Sequence, residues 1–185
     1  MLFRSLEDSA SQELVTGQYR VSDNMTDTMA ALAVLNDIDT AARAKSLDDF
    51  YGRYKDNALV VEKWLSLHAM SRLPGTLESV RKLLIHEAFE RKNPNKVRSL
   101  IGAFGAANQL RFHAADGSGY DFIAEQTLAL DKLNPHGSAR LAQALGRWKR
   151  YDANRQQKMK AALERIVKAP GISTDLYEIA SKSLV

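Results

Sequence analysis

Apolar residues recur every three or four positions along the chain, and no segment alternates apolar and polar residues long enough to form a strand. The segment MTDTMAALAVLNDI is typical, because its spacing places Met25, Met29 and Leu32 on one stripe of a helix. Asn24, directly before it, is a residue type that caps helix starts. Similar segments follow between short breaks such as LPGT. The pattern predicts about nine or ten helices and an all-α fold.

Two helix starts repeat one pattern. The dipeptide Asn-Pro occurs at 93–94 and again 41 residues later at 134–135, with Asn suited to a cap and Pro to the first helical position. Each copy is followed by an arginine (Arg98 or Arg140), an apolar run and a glycine. This period is in the range of HEAT-like helix pairs. We therefore predict that residues 1–185 form a single domain, a superhelical stack of antiparallel helix pairs of the HEAT/armadillo-like α-solenoid type.

Local signals also predict where helices begin and which faces are buried. Ser46 with Asp49 resembles a capping box and predicts a helix start before LDDFYGRYK. Thr76, after the break, predicts the cap of a helix that runs through LESVRKLLIHEAFE. In NALVVEKWLSLHAMS the spacing predicts a buried face made of Leu59, Trp64, Leu67 and Met70.

Composition excludes several classes of function. The 26 Lys and Arg are interleaved with 22 Asp and Glu, for a net charge of +4, so we expect no nucleic-acid partner, even at the basic segment RWKRYDANRQQKMK. No apolar run reaches the ~18 residues of a membrane span, so no membrane partner is expected. The first residues show no secretory signal and the chain has no cysteine. These features predict a cytoplasmic protein.

The segment HEAFE is one residue away from H-E-x-x-H, the helical zinc signature of metallopeptidases. On a helix, His86 and Glu90 would share a face and reach one metal ion. A catalytic zinc needs three protein ligands, however, and the other histidines have no supporting motif. We interpret HEAFE as a polar face near a helix end. We expect no catalytic residue in this chain and no metal bound by it.

A second candidate site is the segment RFHAADGSGYDF, whose glycines open a helix that offers N–H groups to an anion. A phosphate loop needs a preceding buried strand and a basic residue that reaches back, and no strand precedes this segment. The favoured interpretation is a cap, in which Asp116 or Ser118 accepts from backbone N–H groups while Tyr120 and Phe122 pack inward. A ligand site remains the alternative.

The string NPNKVRSLIGAFGAANQLRFHAADGSGYDFIAEQ, with ALVVEKW and RWKRYDANRQQKMKAALE on either side, closely resembles the C-terminal end of the bacterial aminopeptidase N family. Members of that family are zinc-dependent exopeptidases of the gluzincin type. The resemblance runs from about Gln18 to the end of the chain, and the blocks have compatible spacing. It implies a helical domain that covers a catalytic domain of the same polypeptide and restricts access to peptide substrates.

The resemblance also bears on cofactor and site residues. In the family, an H-E-x-x-H helix with a downstream Glu holds zinc, and a G-A-M-E-N segment helps to bind the substrate amino terminus; neither motif occurs in this chain. Zinc is therefore expected in the full-length enzyme, and this part is expected to be inactive alone. Arg98 and Arg140 are similar to arginines that line the family's internal cavity, and are expected to bind substrate.

A free-standing helical-repeat module that binds a partner on its concave face is the alternative. The two hypotheses differ at the first helix, whose Leu2, Leu6 and Leu14 need cover. If the chain is part of a longer enzyme, an exposed apolar patch is expected there.

Overall fold

The computed structural model describes residues 9–185, and this part of the chain is helical, without strands. The prediction of an all-α fold is confirmed. The number of α-helices is twelve in the described part, because the region after Asn93 is divided into short segments. The α-helices are α1 (Ser9–Val21), α2 (Met25–Leu35), α3 (Ala41–Tyr54), α4 (Ala58–Met70), α5 (Thr76–Leu83), α6 (Pro94–Val97), α7 (Ala103–Ala107), α8 (Gln109–Phe112), α9 (Ser118–Asp131), α10 (Pro135–Ala142), α11 (Ala153–Lys168) and α12 (Thr174–Leu184).

The helices stack in chain order. Each helix from α1 to α4 packs on the next one, and α4 also packs on α6 and α7. The last four helices form a second group, in which α9 contacts α10 and α11 while α12 packs on both α10 and α11. Short connections between consecutive packed helices produce the antiparallel pairs of an α-solenoid.

One apolar core runs through both groups of helices. Phe104, at its centre, meets Phe122 edge to face with ring centroids 5.4 Å apart and Phe112 at 6.3 Å. Such edge-to-face pairs are a favourable aromatic arrangement. Fully buried side chains come from nearly every layer: Leu32, Phe50, Leu65, Leu100, Phe122, Leu145, Leu163 and Leu176.

Two buried asparagines hold the end of α4 to its neighbours on both sides. Asn36, which ends α2, donates to the carbonyl of Leu67 at 2.6 Å. Asn108, between α7 and α8, donates to the carbonyls of Ala69 and Ser71 at 2.9 and 2.8 Å. The hydroxyl of Ser71 donates back to the Asn36 carbonyl at 2.8 Å. The last carbonyls of a helix lack intrahelical partners, so these bonds connect three successive layers.

The second group of helices has a comparable link. Asp131, buried at the end of α9, accepts from the backbone N–H of Ser173 at 2.7 Å and from its hydroxyl at 2.6 Å. Ser173 in turn caps α12 by accepting from the N–H of Leu176. The start of α12 is therefore fixed to the end of α9.

Three predicted helix starts are confirmed. Asn24 caps α2, Asn93 caps α6 and Asn134 caps α10, each by accepting from a backbone N–H inside its helix. Proline occupies the first turn of both α6 and α10. The Asn-Pro signal was decisive because Pro fixes φ at a helical value and Asn supplies the missing acceptor.

Two predicted starts are wrong. Helix α3 begins at Ala41, since Thr40 accepts from the N–H of Arg43, and Ser46 is buried inside the helix. Helix α5 is preceded by Gly75 rather than capped by Thr76. The hydroxyl of Thr76 instead donates to two carbonyls of the preceding loop, at 2.8 and 2.9 Å. At α3 an earlier capping residue, Thr40, replaced the expected one, whereas Gly75 before α5 makes no side-chain cap.

The predicted buried face of α4 is half correct. Trp64 and Leu67 are buried, whereas the side chains of Leu59 and Met70 are 69% and 41% exposed. Periodicity cannot separate a face that meets the core from one that lines a cavity, because both are apolar. Leu59 and Met70 belong to the cavity described below.

Gly119 gives a sharp test of the packing between α8 and α9. A Cβ atom at this position would lie 2.3 Å from the carbonyl oxygen of Phe112 and 2.8 Å from its Cα. Backbone atoms cannot move aside cheaply, so G119A is expected to lower the free energy of unfolding by about 1–3 kcal/mol in a urea titration. Gly52, inside α3, has nothing within 4 Å of an added Cβ. The control G52A is expected to stabilise the protein by about 0.5–1 kcal/mol, and equal effects of the two changes would contradict this packing.

Candidate functional site

A cleft of about 1280 Å³ lies between α4, the stretch from α6 to α7, and α10. Its apolar lining includes Leu59 and Met70 of α4, Ile101 of the facing helix, and Ile123 of α9. Arg98 and Arg140 both line it. The structure thus brings together the two arginines that the sequence singled out, although they are 42 residues apart in the chain.

Arg98 lies at the start of a π-helical turn that spans Arg98–Gly102 and joins α6 to α7. The N–H of Ala103 donates to the carbonyl of Arg98, five residues back. Such turns are rare and often occur at functional sites. The arginine stem runs beside Gly102, where an added Cβ would lie in ordinary contact, 3.7 Å from Cγ of Arg98. The turn therefore sets the direction of the arginine on the cleft wall.

Arg140 is positioned by the docking of α10 on α9. Asn134 accepts from the N–H of Gly137 at 2.8 Å and fixes the first turn of α10. The hydroxyl of Ser138, fully buried, donates to the carbonyl of Thr127 at 3.0 Å and holds the helix against α9. The opposite face, with Arg140, is thereby directed to the cleft.

The cleft is electropositive. Its lining also includes Lys63 and Arg147, and Glu62 is its one carboxylate among the residues described. Within residues 9–185, the guanidinium groups of Arg98, Arg140 and Arg147 have no hydrogen bond and no ion pair. An arginine donates five N–H bonds in a planar fork that fits carboxylates and carbonyls. The wall therefore offers unused donors to an acceptor-rich ligand.

The sequence reading missed Lys63 and Arg147. Arg147 stands seven residues after Arg140, which is two helical turns, so this spacing was the available signal. Lys63 follows Glu62 in α4 and is four residues after Leu59, which lines the same cleft. Lys63 was not predicted because the residue spacing in α4 indicates which apolar side chains share a face but not which charged side chain lines a cleft.

The segment HEAFE does not form a helical site. Helix α5 ends at Leu83, so His86 and Glu90 do not share a helix face, contrary to the geometry assumed from the sequence. The Nδ1 atom of His86 accepts from the N–H of Ala88 at 3.0 Å, and Glu87 accepts from the hydroxyl of Tyr51 at 3.0 Å. In the described part of the chain no three His, Asp or Glu side chains are grouped so that they would hold a metal ion.

The loop before α9 is a cap, as favoured from the sequence. One oxygen of Asp116 accepts from the N–H of Ser118 at 3.0 Å and from its hydroxyl at 2.8 Å, which lowers the pKa of the carboxyl group. Gly117 has a φ of 82°, a left-handed conformation suited to glycine. Tyr120 and Phe122 are buried, as expected. The N–H of Ser118 at the start of α9 is therefore already bound within the loop.

His68 lies in an aromatic cluster at the back of α4. Its ring meets Trp64 edge to face at 4.7 Å, and Trp64 also stacks on Tyr51 at 4.5 Å. The Nε2 atom of His68 is buried without a hydrogen-bond partner in the described structure. Burial, together with the nearby charges of Arg43 and His86, lowers the pKa of His68 to about 4. The imidazole is therefore neutral across the physiological range.

No helix within residues 9–185 combines the length and the apolar character that crossing a membrane requires.

Comparisons with known proteins agree with this architecture. The sequence profile of the family described as "Domain of unknown function (DUF3458_C) ARM repeats" matches residues 1–185. Aminopeptidase N of Escherichia coli is 43% identical over 178 residues, 96% of this chain and 20% of that protein. Aminopeptidase N of Haemophilus influenzae is 40% identical and that of Caulobacter vibrioides 38%, over 92% and 91% of the chain. The chain spans about a fifth of the length of these curated relatives.

A solved structure has the same fold. The crystal structure of Legionella pneumophila aminopeptidase A in complex with aspartic acid superposes with a TM-score of 0.89 and 35% sequence identity. The superposition covers 95% of this chain and 21% of that one. With the ARM-repeat description of the family, it confirms the α-solenoid predicted from helix spacing.

The buried His68 predicts a loss of stability in acid. The unfolded chain binds a proton on this residue near pH 6.5, whereas the folded chain does so only near pH 4. Neutral His68 therefore makes its full contribution to the free energy of unfolding above pH 6.5. This contribution, up to about 3 kcal/mol, is lost as the pH falls to about 4. The variant H68F keeps a ring against Trp64. In urea titrations we expect its free energy of unfolding to depend less on pH between 6.5 and 4 than that of the unchanged chain.

The comparison isolates His68 from other groups. Burial also lowers the pKa of His113, whose Nδ1 atom lies 2.8 Å from the hydroxyl of Tyr120. His113 is present in both H68F and the unchanged chain, so its contribution to the pH dependence of stability cancels when the two are compared. If the free energy of unfolding changes with pH equally in H68F and the unchanged chain between pH 7 and pH 4, the loss of stability in acid is not due to His68.

Proposed function

Because this chain belongs to the DUF3458_C ARM-repeat family and corresponds to the C-terminal region of bacterial aminopeptidase N, we propose that it is the helical C-terminal domain of a zinc aminopeptidase. The parent enzyme removes amino-terminal residues from peptides. This domain covers the active site, limits access to it, and contributes cavity-lining arginines without a catalytic centre of its own. Its partners are the catalytic domain of the same polypeptide and peptide substrates.

The observation that carries the proposal is the cationic cleft. Its volume of about 1280 Å³ suits a short extended peptide rather than a folded protein. An extended peptide presents one carbonyl oxygen per residue, and successive oxygens point to opposite sides of the chain. Arg98 and Arg140, exposed and unpaired within the described residues, have the donors to bind such oxygens or a carboxyl terminus in bidentate fashion.

Zinc belongs to the rest of the proposed enzyme. The described residues offer no cluster of ligands that fits a metal ion, so no catalytic step is assigned to this chain. Within the parent enzyme the helical domain would act by holding the peptide and excluding bulk water. Expected localisation is cytoplasmic.

The exposed face of α1 favours a domain over a free-standing interaction module. Leu14 is 75% and Val21 77% exposed, and they are seven residues apart on one face of the helix. Leu2 and Leu6, also expected in this patch, are outside the described residues. In the alternative, an independent repeat protein, the terminal helix would be expected to have a polar outer face.

The isolated 185-residue chain is expected to cleave no aminoacyl substrate, even with added zinc. The reason is that His86 and Glu87 of the segment HEAFE are bound to the N–H of Ala88 and the hydroxyl of Tyr51 and are not arranged around a metal site. The measurement is release of a chromophore from aminoacyl anilides at high protein concentration. Zinc-dependent turnover that co-purifies with the chain and disappears in E87Q would overturn the expectation.

Arg140→Ala in the longer polypeptide tests the role of the cleft. Loss of a charge-assisted hydrogen bond to peptide is expected to raise KM for tetrapeptides about 10-fold. The melting temperature is expected to change little, because the Arg140 side chain is exposed. Arg98→Ala is expected to act in the same direction, and Arg150→Ala, exposed outside the cleft, serves as control. A lowered melting temperature with unchanged kinetics would instead assign Arg140 to structure.

A further inference from the structure

The cleft carries an excess of positive charge beyond that of Arg98 and Arg140. Lys63 and Arg147 add two cations to its wall, and Glu62 is the single acid among the described lining residues. The chain as a whole is nearly balanced, with 26 basic and 22 acidic residues. The excess in the cleft is thus a local feature and not a consequence of overall composition.

Neither cation has a structural task in the described part of the chain. The side chains of Lys63 and Arg147 are exposed and have no hydrogen bond or ion pair there. By contrast, Arg155 is bound to Asp152 at 2.6 Å and to the carbonyl of His113 at 2.8 Å. Like charges that line one cavity repel each other. An anionic ligand would relieve this repulsion.

The positions of the cations suit an extended chain. Lys63 lies in α4, which forms a different wall of the cleft from α10, and Arg147 follows the end of α10. Arg140 lies in α10, and Arg147 comes after the 3₁₀ helix Gln143–Leu145 that follows α10. A mixed α- and 3₁₀-helical path of seven residues covers roughly 10–14 Å. An extended peptide covers this distance with about three to four residues. A carbonyl held at Arg140 would therefore leave a carboxylate a few residues away near Arg147.

We propose that Lys63 and Arg147 make the cleft selective for peptides that carry a carboxylate, either the carboxyl terminus or an acidic side chain. The inference rests on the proposed peptide-binding function and assigns its charge specificity. A peptide is favoured over a small inorganic anion because the cleft is large, about 1280 Å³, and the apolar side chains of Leu59, Met70 and Ile123 also line it. Glu62 opposes the same ligands and tunes the selectivity.

Four blocked tetrapeptides test the proposal on the 185-residue chain by NMR titration of its amide signals. Acetyl-tetraalanine is compared as free acid and as amide, which isolates the carboxyl terminus. Acetyl-trialanyl-glutamate amide is compared with the glutamine analogue, which isolates an acidic side chain. The blocked amino terminus keeps the probe neutral at that end. We expect the acidic member of at least one pair to bind about 5-fold more tightly at low salt, with the difference reduced at 0.5 M salt.

Variants assign the selectivity to named residues. R147Q and K63Q are each expected to reduce the acid-to-amide affinity ratio about 3-fold, and E62Q is expected to raise it. R150Q removes the same charge from a neighbouring residue outside the cleft and is expected to leave the ratio unchanged. Retained signal dispersion in each variant verifies that it is folded.

The outcomes separate this inference from the proposed function. If no peptide shifts the signals of cleft residues, peptide binding by this domain and the inference fail together. If peptides bind in the cleft with equal affinity as acid and amide, only the charge selectivity is wrong. If phosphate binds as tightly as the acidic peptides and displaces them, the cleft is a general anion site and peptide selectivity is refuted.

Discussion

Buried carbonyl groups at the end of α4 impose the constraint on which the stack depends. Carbonyls at a helix end lack intrahelical donors, and in this interior position a missing bond would cost about 1–3 kcal/mol each. Asn36 and Asn108 supply the donors from the layers before and after α4. Side-chain amides satisfy these groups only within a narrow range of distances and angles. The bonds therefore fix the offset between layers, which apolar packing alone leaves less defined.

That fixed offset determines the shape of the cleft. Helix α4 contributes one wall, and the stretch from α6 to α7, held to it through Asn108, contributes the next. The third wall, α10, is held to α9 by the buried hydroxyl of Ser138. The carbonyl groups at the end of α4 are thus satisfied internally, whereas the cations that line the cleft have no protein partner among residues 9–185. This division leaves the arginines available to a ligand at little expense in stability.

Helix content and the Asn-Pro starts were predictable because they depend on local chemistry. A capping side chain and a proline act within a few residues, so Asn93 and Asn134 were read correctly. The layer links were not predictable, since Asn36 and the carbonyl of Leu67 are 31 residues apart and no pattern in sequence connects them. For the same reason, exposure of Leu59 on a cleft wall follows from the arrangement of helices, not from its spacing.

The candidate site was predictable only where resemblance supplied it. Arg98 and Arg140 came from that source, and Arg147 was missed although its spacing from Arg140 is helical. Charged residues at helical spacing are common on solvent-exposed helix faces, so such spacing does not by itself identify residues that line a cavity. What marks these side chains is the absence of partners within the described structure, a property that requires coordinates.

The π-helical turn at Arg98–Gly102 has a consequence for insertions and deletions in relatives. A turn closed by a bond five residues back contains one residue more than an α-helical turn. Removing one residue there would restore regular α-helix while the segments on either side keep their faces. The helical stretch from α6 to α7 can therefore be one residue shorter in a homologue without a change in the faces of α6 and α7. The residue equivalent to Arg98 should be identified by its position on the wall of the cleft and not by counting from the helix end.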